Sequence, residues 1–207
     1  MTDTASRHDQ AWLRASRKAR GLSWVSLGWM TIEGVIGLAA GLSAGSIALV
    51  GWALGSLIEG LASVIVIWRF TGSRTLSEGA ERTAQRAVAI SFWLLAPYIA
   101  IEAIHDLLTH QHTDATTLGI IVTASSIAVM PWLGTTKRRL GQRLDSNTTA
   151  GEGTQNLLCA AQGAAVLVGL GANTLFGTWW LDPVIALALA GWAVREGLEA
   201  WHGEECC

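Results

Sequence analysis

Apolar residues along the chain gather into six runs, at about 22–42, 46–70, 87–108, 115–134, 150–170 and 178–201, separated by polar or basic stretches. A helix rises about 1.5 Å per residue and a bilayer's hydrocarbon core is about 30 Å thick, so about 20 residues suffice to cross it. The pattern therefore predicts six membrane-crossing helices. The Ser-Ala-Gly connection at 43–45 leaves room only for a tight hairpin between the first two.

The basic residues decide the orientation. Arg7, Arg14, Arg17, Lys18 and Arg20 precede the first run, and Arg69, Arg74, Arg82 and Arg86 surround the second connection. Lys137, Arg138, Arg139 and Arg143 fill the fourth, Arg195 lies near the end of the last run, and the other connections carry none. Because Lys and Arg collect on the cytoplasmic side, both termini are expected to be cytoplasmic. The predicted fold class is an all-α integral membrane protein, a six-transmembrane-helix bundle with both termini cytoplasmic. Residues 1–21 read as a cytoplasmic leader, with an interfacial helix as the alternative form, 22–201 as the transmembrane domain and 202–207 as a short cytoplasmic tail. The leader is polar and basic, without the apolar core and cleavage site of a secretory signal.

Composition agrees with this. The chain is 51% hydrophobic and 14% charged over 207 residues, where soluble domains carry about 25% charged residues. The net charge of -2 says little, because in a membrane protein the placement of Lys and Arg matters more than their sum, and nothing in the chain suggests nucleic acid. No nucleophile–base pair or phosphate loop points to an enzyme, and nothing calls for a prosthetic group. Trp24, Trp68, Trp93, Trp132, Trp179, Trp180 and Trp201 lie toward run ends, as amphipathic rings at interfaces should. Glycines within the runs permit close helix approach, though membrane helices also tolerate glycine for no such reason.

The candidate chemistry begins at Glu59, the single acid inside the second run. It stands ten residues inward of Arg69, roughly 15 Å along a helix axis and hence near the midplane. A carboxylate at that depth is costly unless it is paired, protonated or metal-bound. Glu33 in the first run lies at a similar depth. In the fifth run Glu152, Gln155 and Cys159 are spaced by three and four residues and share one helix face, with Cys159 near the level of the two acids. Carboxylates and a thiolate at one level suit a divalent cation, to which Gln155 can add a carbonyl oxygen. Both anionic ligand types exchange protons for the metal, and two neighbouring carboxylates share a proton when it is absent. The plainer alternatives are a protonated Glu59 bonded to a neighbouring helix, Cys159 as a small buried hydrophobe and Gln155 as an interhelix hydrogen bonder.

The segments SIALVGWALGSLIEGLAS, IAIEAIHDLL and LDPVIALALAGWAVREGLEAW, with six helices and both ends inside, resemble the membrane domain of the cation diffusion facilitator family over about 22–201. That resemblance implies a homodimeric, proton-coupled exporter of zinc, cobalt, cadmium or a similar ion. The family's metal site uses two acids one turn apart in the second helix, and a His or Asp followed four residues later by Asp in the fifth. Laid onto this chain, those positions are Gly55 and Glu59, then Gln155 and Cys159, so only Glu59 keeps a family-type ligand. Glu152 matches an acid preceding the fifth-helix pair, and Glu33 is an additional acid able to replace what Gly55 lacks. The family's histidine-bearing loop is replaced by TGSRTLSEGAERTAQR, and its cytoplasmic sensing domain has no counterpart before Cys207. The resemblance is thus to a divergent, transmembrane-only branch.

Two outlying clusters remain. His105, His110, His112 and Asp114 gather at the outer end of the third run, where a solvated loop is the plainer reading and a weak exit site the alternative. His202, Glu204, Glu205, Cys206 and Cys207 give the tail free thiols for soft-metal capture or lipidation. Two functions are carried forward: a plasma-membrane transporter exchanging a divalent cation for protons, and a metal-binding or regulatory membrane protein that no longer transports.

Overall fold

A computed structural model of the protein describes residues 2–44, 47–109 and 117–202. Among these residues there are six α-helices and no strand: α1 Thr2–Ala44, α2 Ile47–Arg69, α3 Glu78–Thr109, α4 Thr117–Leu144, α5 Asn147–Phe176 and α6 Leu181–His202. A short 3-10 helix, Gly72–Leu76, links α2 to α3. Among the described residues, two stretches, Gln10–Ala39 and Glu78–Thr109, are long and apolar enough to cross a membrane by length and composition, where the apolar pattern predicts six.

The helices outrun the apolar patterns that announce them. Residues 2–21, read as a leader that could form an interfacial helix, are helical and continue into α1 without a break, as their Ala, Arg, Gln and Leu and lack of proline allow. This extension is docked rather than free. Trp12 donates from Nε1 to the Leu144 carbonyl at 3.3 Å and packs edge-on against Phe70, and Arg20 donates to the Phe70 carbonyl at 3.0 Å. In the same way α3 begins at Glu78, within the expected second connection, and α4 carries the basic cluster 137–143 on its last turns.

Connections at this end are tied by one carboxylate. Glu81 accepts Arg69 Nε at 2.6 Å with one oxygen, and Ser146 Oγ at 2.9 Å and the Thr148 amide at 3.1 Å with the other. Ser146 caps α5 by accepting the Thr149 amide at 3.2 Å. An acid beside the amides of a first turn also complements the helix dipole.

The helices pack chiefly as three pairs, α1 with α2, α3 with α6 and α4 with α5. The α4–α5 approach is set by Gly134 and Gly153, since a Cβ on either would fall 2.7 Å from the other's carbonyl oxygen. Small residues that let backbones meet are the usual device of helix pairs in lipid. The distribution of polarity is also that of a bundle in hydrocarbon. Phe92, Leu95, Met130 and Leu133 are buried, yet so are Glu33, Glu59, Lys137, Glu152, Gln155 and Asn156, while Val35, Ile101 and Leu108 are more than 60% exposed. Polar groups turn inward where the surroundings are apolar.

Candidate cation site

The inward polar residues form two networks at different depths. The deeper one joins α1, α2, α4 and α5. Glu59 on α2 is buried, with the Cys159 thiol of α5 near its carboxylate. Glu33 on α1 is close enough for the two carboxylates to repel each other when ionised. One Glu33 oxygen accepts a hydrogen bond from Ser126 Oγ of α4, which itself accepts Trp29 Nε1 at 3.2 Å. The other, Oε2, is buried without a hydrogen-bond partner. One turn toward the α5 N-terminus, Gln155 donates to Ser91 Oγ of α3 at 2.7 Å, and its Oε1 likewise has no partner. Buried acceptors left open in this way cost about 1–3 kcal/mol each unless a ligand or proton answers them.

Glu33 and Cys159 thus each lie near enough to Glu59 to act on its charge. Among the described residues, however, no three His, Cys, Asp or Glu side chains converge tightly enough to hold a metal as they stand. The arrangement supplies an anionic oxygen and sulfur lining with open acceptors, and not a closed coordination shell.

Gly55 lies one turn from Glu59 on the same helix face, and its missing side chain is replaced from outside α2. A Cβ there would come within 3.1 Å of the Tyr98 ring of α3. The Tyr98 phenol donates in turn to the Glu102 carboxylate. Glu102 is an ionisable residue inside an apolar run, the same signal that singles out Glu59. It was legible in IAIEAIHDLL, and sequence reasoning missed it.

The second network lies toward the N-terminal end of α5. Glu152, a candidate ligand by sequence, is paired instead. Lys137 Nζ of α4 donates to Glu152 Oε1 at 2.6 Å, to Ser26 Oγ at 2.6 Å and to Asn156 Oδ1 at 3.1 Å. The other Glu152 oxygen accepts Ser23 Oγ at 2.6 Å. Lys137 is 0% exposed, whereas its place in the Lys-Arg-Arg cluster suggests a solvated connection. The correction has a physical cause: helical continuation turns Arg138 and Lys137 to different sides of α4, and the Gly134–Gly153 approach carries Lys137 against α5.

Of the outlying clusters, His105 lies 3.5 Å from Asp106 on an exposed part of α3. His110, His112, Asp114, Glu204, Glu205, Cys206 and Cys207 lie outside the described residues.

Comparison with known proteins gives this arrangement a context. Residues 23–200 match the cation efflux transmembrane domain. Transmembrane protein 163 of Xenopus laevis is 24% identical over 175 residues, 84% of this chain. The chain spans 62% of that relative's length.

Proposed function

For a chain that belongs to the cation efflux family, we propose secondary transport: export of a divalent cation from the cytoplasm in exchange for protons, across a plasma membrane spanned six times with both termini cytoplasmic. The observation that carries this reading is that buried Glu59 has Glu33 and the Cys159 thiol within electrostatic reach, with one Glu33 oxygen unpartnered. A cation reaching that layer favours the ionised carboxylates and thiolate, so its arrival expels the protons they hold. Mixed oxygen and sulfur donors favour zinc, cadmium or cobalt over magnesium or manganese. Gln155 contributes its free carbonyl oxygen from one turn away. A homodimer is the expected assembly from the family resemblance.

Flux measurement in proteoliposomes loaded with a zinc indicator and a pH dye tests the proposal. Wild-type protein should couple zinc movement to opposite proton movement, and Glu59→Gln should abolish both while expressing normally. Zinc binding without flux in the wild type would favour a regulatory metal-binding role instead.

A further inference from the structure

The Lys137 network contains more than an ion pair needs. A buried ammonium–carboxylate pair is weak evidence for stability, because apolar residues of similar volume commonly do as well. Here three residues from two helices each place an oxygen on one ammonium, and a fourth, Ser23, braces the carboxylate. Ser23, Ser26, Glu152 and Asn156 are each no more than 3% exposed. Three of these oxygens take the three ammonium protons, and Ser23 holds the remaining Glu152 oxygen in place.

Their orientation is fixed independently of Lys137. Asn156 Nδ2 donates to Ser26 Oγ at 3.3 Å and to Met130 Sδ at 3.0 Å, which leaves the carboxamide oxygen facing the ammonium. A carboxylate, a carboxamide oxygen and hydroxyls are the ligands that hard cations take from proteins. The network lies on the path the proposed function requires. Glu152 is seven residues, roughly 10 Å, nearer the α5 N-terminus than Cys159, and Asn156 is within one turn of Cys159.

We propose that Ser23, Ser26, Glu152 and Asn156 form a second cation site on the cytoplasmic side of the Glu59 layer, filled in this conformation by the Lys137 ammonium as a tethered cation. A small oxygen-seeking divalent cation takes the site when Lys137 withdraws, and the returning ammonium drives it onward or out. The inference rests on the reading of the bundle as a cation path, and it makes Lys137 a competitor of the substrate.

Manganese is the probe, because its bound and free forms are counted by electron paramagnetic resonance. In detergent, Glu59→Gln removes the deeper site, so that Glu59→Gln/Lys137→Met should bind an additional manganese equivalent per chain relative to Glu59→Gln alone. Its melting temperature should rise with manganese, and a further Glu152→Gln should cancel both gains. Unchanged stoichiometry together with a melting temperature insensitive to manganese would overturn the proposal. Retention of wild-type zinc binding by Glu59→Gln would count against the deeper site and leave this increment readable.

Should the Lys137 variants fail to fold, the wild type supplies the second measurement. Lys18 and Lys137 are the chain's two lysines, and Lys18 is exposed. Acetic anhydride labelling read by mass spectrometry should modify Lys18 with or without manganese and Lys137 only as manganese saturates. Labelling of Lys137 that ignores manganese would overturn the competition.

Discussion

The two polar networks inside the bundle are made of similar residues and are finished differently. Around Lys137 the donors and acceptors close on one another: three ammonium protons meet three oxygens, and both Glu152 oxygens are taken. Around Glu59 the same kinds of group stop short. Glu33 Oε2 and Gln155 Oε1 are buried with nothing to accept from, and Glu33 lies near enough to Glu59 for the two carboxylates to repel when ionised. A satisfied network fixes helices in place, whereas an unsatisfied one stores a preference for whatever arrives. The contrast separates a network already closed around a tethered ammonium from one whose acceptors stay open.

The largest effect should come from unbalancing the closed network. Glu152→Gln leaves a buried ammonium without its counter-ion, at a cost of about 3–5 kcal/mol, while Lys137→Met/Glu152→Leu removes both charges and should recover most of that loss. Thermal unfolding in detergent reads the difference. If the single and double variants melt together, the pair carries little of the closure attributed to it. The helix approach that builds this network comes next. Gly134→Val places carbon against the Gly153 carbonyl, and overpacking of this kind costs about 1–3 kcal/mol. It should also raise Lys137 labelling, and normal stability with Lys137 still protected would detach the glycine contact from the lysine's burial.

The candidate residues of the deeper layer, and their depths, are read from the sequence. Helical rise alone places Glu33, Glu59 and Cys159 at one depth once the orientation of each run is assumed. What sequence does not carry is the rotation of one helix against another. Lys137 sits in a basic cluster that reads as an interfacial connection, and only the glycine contact between α4 and α5 turns it inward to Glu152. The space at Gly55 was legible as a gap and not as a filled one, because the Tyr98 ring arrives from α3. The leader's continuity with α1 was open to reading from its helix-forming composition, but its docking depends on Trp12 and Arg20 finding carbonyls at the far ends of α4 and α2.

Smaller changes probe the open layer. Cys159→Ser should weaken cadmium binding about tenfold, roughly 1.4 kcal/mol, and leave manganese nearly unchanged, since a hydroxyl replaces a soft donor with a hard one. Equal losses for both ions, measured by competition with a fluorescent indicator, would reduce the sulfur to packing. Gly55→Ala brings a methyl within 3.1 Å of the Tyr98 ring and should cost less than about 1 kcal/mol, because the ring can shift. A larger loss would mean that Tyr98 is held rigidly by Glu102.

The central claim is that Glu59 and Glu33 share protons which an entering cation displaces. Calorimetric titration of zinc into purified protein, repeated in buffers of different ionisation enthalpy, counts those protons directly. Wild-type protein should release protons as zinc binds. Glu33→Gln should bind zinc with fewer released, and Glu59→Gln should bind neither zinc nor buffer-dependent heat. Zinc binding by Glu59→Gln with the wild-type affinity and proton count would contradict the account.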